Sequence, residues 1–283
     1  MTTVTTAPVQ AEAPAADIQP RQLIVTVYGL YAREEHNWLS VAALVRLMAD
    51  LGIDGQAVRS SVYRLKKRGI LLSLAMSGAA GYALSGDALA ILKEGDARIF
   101  RGCRASAADG WVVAVFSVPE RDRGKRHELR TRLTRLGFGT VAPGVWVAPR
   151  HVGAEAETVL ARHGLGGYVD LFGAEHIGFA DVSSKIGDWW DLDELTRLYG
   201  AFTGRFGPVA RRLARRPVTD QVSFAAYVPI LTLWRQLPYR DPGLPLELLP
   251  RPWSGETAAA LFGRLNDQLA EPAHRHAMSV IRG

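Results

Sequence analysis

The sequence predicts an α+β chain in three successive parts: a helical segment with a short hairpin, a β-α-β-β-α-β alternation, and a mainly helical remainder. Three observations carry this. Two short amphipathic helices joined by a glycine turn lie within residues 40–68. Apolar runs of strand length alternate with helical spacings between Trp111 and Phe172. From Asp188 the chain turns helical and aromatic. The expected boundaries are 1–20 for a flexible tail, then 21–105, 110–180 and 186–277 for the three parts.

The length of 283 residues suits two or three domains, and 48% hydrophobic residues is enough for real cores. Mean hydropathy is close to zero. No apolar run approaches the roughly 18 to 20 residues needed to cross a bilayer, so no membrane partner is expected. Met1 to Asp17 lacks a basic start and a continuous apolar stretch, and reads as a tail, not a signal peptide. Cys103 is the sole cysteine, which rules out an intrachain disulfide and fits a reducing cytoplasm. Its expected role is that of a buried small apolar residue.

In chain order, Leu23 to Tyr31 (LIVTVYGLY) is expected as a first helix, accepted despite its β-branched residues because the next elements need a packing partner. Ser40 can cap Val41 to Asp50, where Val41, Leu44, Val45 and Met48 have helical spacing. Leu51-Gly52-Ile53 makes a tight connection, with Gly52 able to take a left-handed backbone. Asp54 can cap the next helix, DGQAVRSSVYRLKKR, in which Val58, Val62 and Leu65 recur at i, i+4 and i+7. Its inward stripe leaves Gln56, Arg59, Ser60, Tyr63 and Lys67 outward, with Arg64 and Lys66 toward the flanks. Ile70 to Ala75 and Tyr82 to Ser85 are expected as strands of a hairpin around the small residues 76–81. Gly86 to Arg104 is expected as a closing helix, with Leu89, Ile91, Leu92, Ile99 and Phe100 apolar and Arg98, Arg101 and Arg104 exposed.

Helix, short glycine turn, basic helix and hairpin in that order predict a winged helix-turn-helix, whose second helix enters the DNA major groove. A charge run alone is usually a solvated face, and here the order of the neighbours argues for DNA. Residues 20–104 hold 12 Lys and Arg against 7 Asp and Glu, a surplus of five within a whole-chain surplus of six. Lys66, Lys67 and Arg68 are expected on phosphates, and Gln56, Arg59, Ser60 and Tyr63 near base edges, with Arg59 reading guanine.

Trp111 to Val118 is expected as a buried strand, followed by a helix marked by Leu129, Leu133 and Leu136. Phe138 to Val141 and Val145 to Ala148 are strands joined at Pro143-Gly144, Ala154 to Arg162 is a helix, and Tyr168 to Phe172 a last strand. That order predicts a ferredoxin-like α/β sandwich. It resembles the small CRISPR-associated Cas2 family, whose members dimerise and often carry an acidic residue ending the first strand. This chain has Phe116-Ser117-Val118 there. Without a hard oxygen donor no metal ligand is evident, so the resemblance implies dimerisation and not a nuclease. The helix between the first two strands has a strongly basic surface, Arg121, Arg123, Lys125, Arg126, Arg130, Arg132 and Arg135, which suits a solvated face or contact with DNA phosphates.

In the last part, Trp189, Trp190, Leu192, Leu195, Leu198, Tyr199 and Phe202 are expected on one helix face. Val222 to Leu237 is a second helix with Pro229 inside it, and Glu256 to Leu269 a third. Between them lie Asp241-Pro242-Gly243-Leu244-Pro245, Leu248-Leu249-Pro250 and Trp253-Ser254-Gly255. These motifs, with VRSSVYRLKKRGIL (Val58 to Leu71) and WVVAVFSVPE (Trp111 to Glu120), resemble the PaaX family of bacterial transcriptional repressors over about Gln22 to Ala277. The resemblance implies a homodimer on a pseudo-palindromic duplex operator, controlling an aromatic catabolic operon and released by an aryl-CoA thioester, typically phenylacetyl-CoA.

Such an effector needs cations for its phosphates and an aromatic pocket for its acyl group. Arg205, Arg211, Arg212, Arg215 and Arg216 beside Trp189, Trp190, Tyr199 and Phe202 could supply both. The same aromatics also suit a core, and the same arginines a solvated helix face. No Walker loop, G-x-S-x-G elbow or H-E-x-x-H occurs, and Gly164-Leu165-Gly166-Gly167 precedes a strand instead of following one. His274 and His276 are expected as surface histidines without partners. The chain therefore reads as a non-enzyme with no catalytic residue, no metal and no cofactor. Two rival readings share some of its parts, a ligand-independent DNA-binding activator or architectural protein and a Cas2-like nuclease.

Overall fold

A computed structural model of the chain describes residues 15, 17–102, 104–178, 181–215 and 217–283, with Arg101 described in its backbone alone. The expectations for residues 1–14, Cys103, the Arg101 side chain and Arg216 lie outside the described residues. The fold is mixed α/β, with one three-stranded and one four-stranded sheet and many helices. Contacts group the chain into two compact units. The first takes the chain up to Gly95 with Phe206–Leu233 and Leu261–Gly283. The second takes Asp96–Arg205 and Trp234–Ala260.

The first unit opens with α1 (Pro20–Leu30), whose Leu23, Ile24 and Val27 are fully buried. The β-branched residues of α1 are thus held helical by packing against α3, not by propensity. Strand β1 (Trp38–Ser40), α2 (Val41–Asp50), α3 (Gly55–Lys67), β2 (Leu71–Met76), β3 (Ala79–Leu84) and α4 (Gly86–Asp96) follow. The sheet order is β1-β3-β2, antiparallel throughout.

Two expectations change here. The hairpin is tighter than the sequence suggested, with a turn of only Ser77 and Gly78, both at positive φ (51° and 80°), as a two-residue primed turn requires. Gly81, expected in the loop, pairs with Leu74 inside the sheet. It is glycine because β1, too short to be evident from the sequence, lies against it. A Cβ there would sit 2.4 Å from the Leu39 carbonyl oxygen and from the Trp38 ring. The Trp38 indole N–H donates to the Leu74 carbonyl at 2.9 Å.

The closing helix is also shorter than expected. It ends at Asp96, is followed by a π-turn over Ala97–Arg101, and breaks at Gly102 with φ 55°. Ile91 and Phe100 of this segment are 61% and 45% exposed. Arg104, expected exposed, is instead ion-paired to Asp241 at 2.6 Å.

The second unit contains β4 (Trp111–Phe116), α5 (Arg123–Leu136), β5 (Gly139–Ala142), β6 (Val145–Pro149), α6 (Gly153–Arg162) and β7 (Val169–Ala174). Its strand order β5-β6-β4-β7 is all antiparallel, so the two β-α-β halves interleave as the sequence pattern predicted. Val112, Ala114, Trp146 and Ala148 bury one sheet face with Leu129, Leu133, Leu136, Ala156 and Leu160 of the two helices.

The helices α7 (Ser183–Trp189), α8 (Leu192–Leu213), α9 (Asp220–Trp234) and α10 (Ser254–Arg282) complete the chain. Residues 186–277 are distributed over both units. Trp189 and Trp190 do not share the α8 face with Tyr199. The backbone is extended at Trp190, and Asp191 accepts from the Glu194 N–H at 2.8 Å, so α8 starts afresh beyond them. The last helix does not stop near Leu269. It continues through Pro272 because Leu269, Ala273 and Ala277 are all fully buried, and their packing outweighs the backbone bond that proline removes.

The Gly81 contact is testable. Gly81→Ala should lower stability by about 1 to 3 kcal/mol, since the added methyl meets backbone as well as a ring. Urea denaturation monitored by circular dichroism reads the loss, and an unchanged midpoint would refute the close approach of β1 to β3.

Candidate nucleic-acid interface

The segment Ser40–Ile70 is built almost entirely by local rules. The Ser40 hydroxyl accepts from the Ala43 N–H at 3.1 Å and starts α2. At its end Gly52 takes φ 76°, the Gly52 N–H reaches the Ala49 carbonyl and the Ile53 N–H reaches the Met48 carbonyl, both at 2.9 Å. That is the paired closure of a Schellman end, and it turns the chain directly into α3. Asp54 Oδ1 accepts from the Gln56 and Ala57 N–H groups at 2.8 Å each. These two bonds hold its carboxyl below the usual carboxylate range. Gly69 at φ 69° repeats the closure at the other end, with Ile70 N–H on the Leu65 carbonyl at 3.0 Å.

Within α3, Val58, Ser61, Val62 and Leu65 are buried. Gln56, Arg59, Ser60, Tyr63, Arg64, Lys66 and Lys67 are all exposed, as is Arg68 just beyond the helix. Every residue that the sequence assigned to DNA therefore lies on one solvent-facing surface, and Tyr63 is 66% exposed there. No acidic side chain interrupts it between Gly55 and Arg68. Arg59 folds back over Gly55, where a Cβ would stand 3.4 Å from its guanidinium. Lys66 lies 5.8 Å from the Tyr82 ring centroid, so its ammonium leans toward the hairpin and not straight outward. The three cations of the last turn also favour the negative end of the helix dipole.

Long-range partners of this segment were not evident from the sequence. Asp50, the last residue of α2, accepts from Gln221 Nε2 at 2.7 Å through Oδ1 and lies 2.8 Å from His276 Nε2 through Oδ2. His274 is 3.0 Å from Glu34, Arg282 donates to Glu35 at 2.9 Å, and Arg46 donates to the Val280 carbonyl at 2.9 Å. Arg275 holds Asp220 through two bonds of 2.9 and 2.8 Å, and this keeps the Asp220 carboxyl below the usual range. The two histidines, expected without partners, thus belong to a set of links from the end of α10 to α2 and the turn after α1. Spacing could not show them, because the partners are more than 200 residues apart.

The residues considered for an effector have different partners. Trp189 and Trp190 pack on Trp111, with ring centroids at 6.4 and 6.1 Å, and the Trp190 indole N–H donates to the Gly137 carbonyl at 2.9 Å. Tyr199 and Phe202 instead meet Trp234 at 6.5 and 5.3 Å, and Tyr199 also meets Trp253 at 6.2 Å. The Tyr199 hydroxyl donates to Asp241 Oδ2 at 2.7 Å, and burial together with that carboxylate pushes its ionisation up. Asp241 also accepts from Arg104 and, at 2.8 Å, from the Gly243 N–H, so it organises its own Asp241-Pro-Gly-Leu-Pro motif. Arg205 is half-buried, whereas Arg211, Arg212 and Arg215 are exposed at the end of α8 and just past it. Among the described residues no group of three or more His, Cys, Asp or Glu could hold a metal ion.

Comparison with known proteins matches all three parts of the chain to one family. Residues 19–88 match the model described as PaaX-like protein, 104–186 the PaaX protein central Cas2-like domain, and 190–279 the PaaX-like protein C-terminal domain. The chain belongs to the PaaX family. A curated relative, the Transcriptional repressor PaaX of Escherichia coli (strain K12), is 26% identical over 272 residues, covering 94% of this chain and 85% of the relative. Among solved structures, the uncharacterized protein Rv0674 from Mycobacterium tuberculosis shares the fold with a TM-score of 0.59 at 23% identity, over 92% of this chain and 99% of the other. No helix among the described residues is long and apolar enough to cross a membrane. The PaaX-family motifs quoted from the sequence sit on α3, on β4 and its extension, and around Asp241, which gives each a stated structural task.

The Asp50 links make a prediction. Asp50→Ala leaves Gln221 and His276 without their acceptor and should cost about 1.5 to 3 kcal/mol in urea unfolding. A double-mutant cycle with His276→Ala should show coupling of at least about 0.5 kcal/mol, whereas strict additivity would mean the pair is not formed in solution.

Proposed function

We propose that this chain is a DNA-binding transcriptional repressor acting as a homodimer, with α2, α3 and the β2–β3 hairpin as a winged helix-turn-helix and α3 as its recognition helix. One observation carries the reading. The eight residues from Gln56 to Arg68 with donors for phosphates and base edges all face solvent, seven on a helix whose other face is locked into a core and Arg68 just past its end. The family and the name of its E. coli member support the same reading.

Arg59 stands in the first turns of α3, where recognition helices approach base edges, and its fork suits guanine O6 and N7. Gln56, Ser60 and Tyr63 share that surface, and Arg64, Lys66, Lys67 and Arg68 are placed for phosphates. The dimer is assigned to the four-stranded sheet of the second unit. On the sheet face away from α5 and α6, Val115 and Phe172 are 39% and 53% exposed, an apolar strip suited to a second copy. With two copies, two recognition helices read a pseudo-palindromic operator. The effector is an aryl-CoA thioester that favours a dimer state whose helices no longer match the half-site spacing. Release requires that the two states bind it with different affinity.

The test is a mobility shift on DNA upstream of the chain's own gene, titrated with phenylacetyl-CoA and with the free acid. Wild type should bind one site and be released by the thioester. Arg59→Ala should weaken binding by about 1 to 3 kcal/mol and relax preference at one base position. Wild-type affinity with unchanged base preference would remove Arg59 from the readout, and binding indifferent to acyl-CoA would remove the effector.

A further inference from the structure

A second cationic surface lies outside the recognition helix, on α5. Its 14 residues hold six Lys and Arg and a single acid, Glu128. Half of those cations are engaged within the protein. Lys125 pairs with Glu128 at 3.2 Å and Arg132 with the same carboxylate at 3.8 Å. Arg126 bonds the Val118 carbonyl at 2.7 Å and Glu120 at 3.4 Å. Arg123, Arg130 and Arg135 are exposed and make no side-chain hydrogen bond or ion pair with any described residue. They stand on the arc opposite the buried Leu129, Leu133 and Leu136, spread over about 18 Å of helix. His127, Thr131 and Thr134 lie between them, and both threonine hydroxyls turn back onto backbone carbonyls, at 2.9 and 3.0 Å.

We infer that this arc of α5 binds phosphates of duplex DNA beyond the base-read operator. The inference rests on reading the chain as a duplex-DNA binder. Three observations choose the partner. The unpaired cations are all arginines, whose planar forks match phosphate oxygens. The helix carries no Phe, Tyr or Trp, so it lacks the large stacking platforms on which a single strand is bound. Its exposed arc carries no large apolar side chain, so neither a lipid surface nor a hydrophobic peptide groove is served. The contact carries no sequence information. It adds affinity and salt dependence to whatever α3 specifies.

The experiment compares the full-length wild type with an Arg123→Ala/Arg130→Ala/Arg135→Ala variant and the corresponding triple Lys variant. Each is titrated, across a salt series, onto a short duplex holding only the operator, the same operator lengthened on both sides, and a long random-sequence duplex. Wild type should bind the lengthened operator at least about tenfold more tightly than the short one at low salt. The triple Ala variant should lose that gain and shallow the slope of log K against log [salt] by up to about 2.7 for each protomer of the dimer, near 0.9 for each phosphate contact. The triple Lys variant should keep most of it, and base preference on the short duplex should not change. Equal affinity and slope for wild type and triple Ala on both long duplexes would overturn the inference, as would binding through these arginines to single-stranded RNA in place of duplex. The random duplex separates the two claims. A loss there with Arg59→Ala silent on the operator would remove Arg59 from the base readout and leave the α5 surface standing.

Discussion

The burial of one face of α3 is the constraint on which the rest of the first unit depends. Val58, Val62 and Leu65 are nearly inaccessible, and α3 packs on α1, whose Leu23, Ile24 and Val27 are fully buried. A 13-residue helix this rich in cations would be marginal alone. Once that stripe is fixed inward, helical periodicity leaves no freedom to the other residues, and Gln56, Arg59, Ser60 and Tyr63 must face solvent. The Asp54 cap and the two Schellman ends then set where the helix begins and stops, and therefore which residues occupy its exposed first turns.

The same constraint explains why the links from α10 matter. Asp50 ends α2 one residue before the turn into α3, and a carboxylate there opposes the helix dipole. Gln221 and His276 offset that by bonding both of its oxygens. The C-terminal helices are thus part of the unit that holds α3, while Tyr199, Asp241 and Trp253 of the same C-terminal region organise the second unit. Residues of α8, α9 and α10 are shared between the two units.

What was legible in the sequence was local. The α3 segment announced itself through a capping Asp, a three-residue apolar stripe and a glycine stop, all within 16 residues, and the central strands through β-branched runs bounded by Pro-Gly and Gly-rich turns. What was not legible depended on partners distant in the chain. Gly81 looks like a loop glycine until Trp38 is placed against it. Pro272 looks like a helix stop until the buried Leu269, Ala273 and Ala277 are counted on either side. Trp189 and Trp190 fit the heptad-like spacing of α8, yet Asp191 caps that helix and sends them to Trp111 instead. All eight residues expected on DNA are exposed, because helical periodicity decides that, whereas Trp189, Trp190, Tyr199 and Phe202 take aromatic partners, Trp111 and Trp234, that spacing could not supply.

The central claim, that the outward face of α3 meets duplex DNA, is tested most directly by lysine footprinting. The chain has five lysines, Lys66 and Lys67 at the end of α3 and Lys93, Lys125 and Lys185 elsewhere. Acetylation rates measured by mass spectrometry, with and without a short operator duplex, should fall at Lys66 and Lys67 while Lys93 and Lys185 keep the rates of the free protein. Full reactivity of Lys66 and Lys67 in the bound complex would contradict the account.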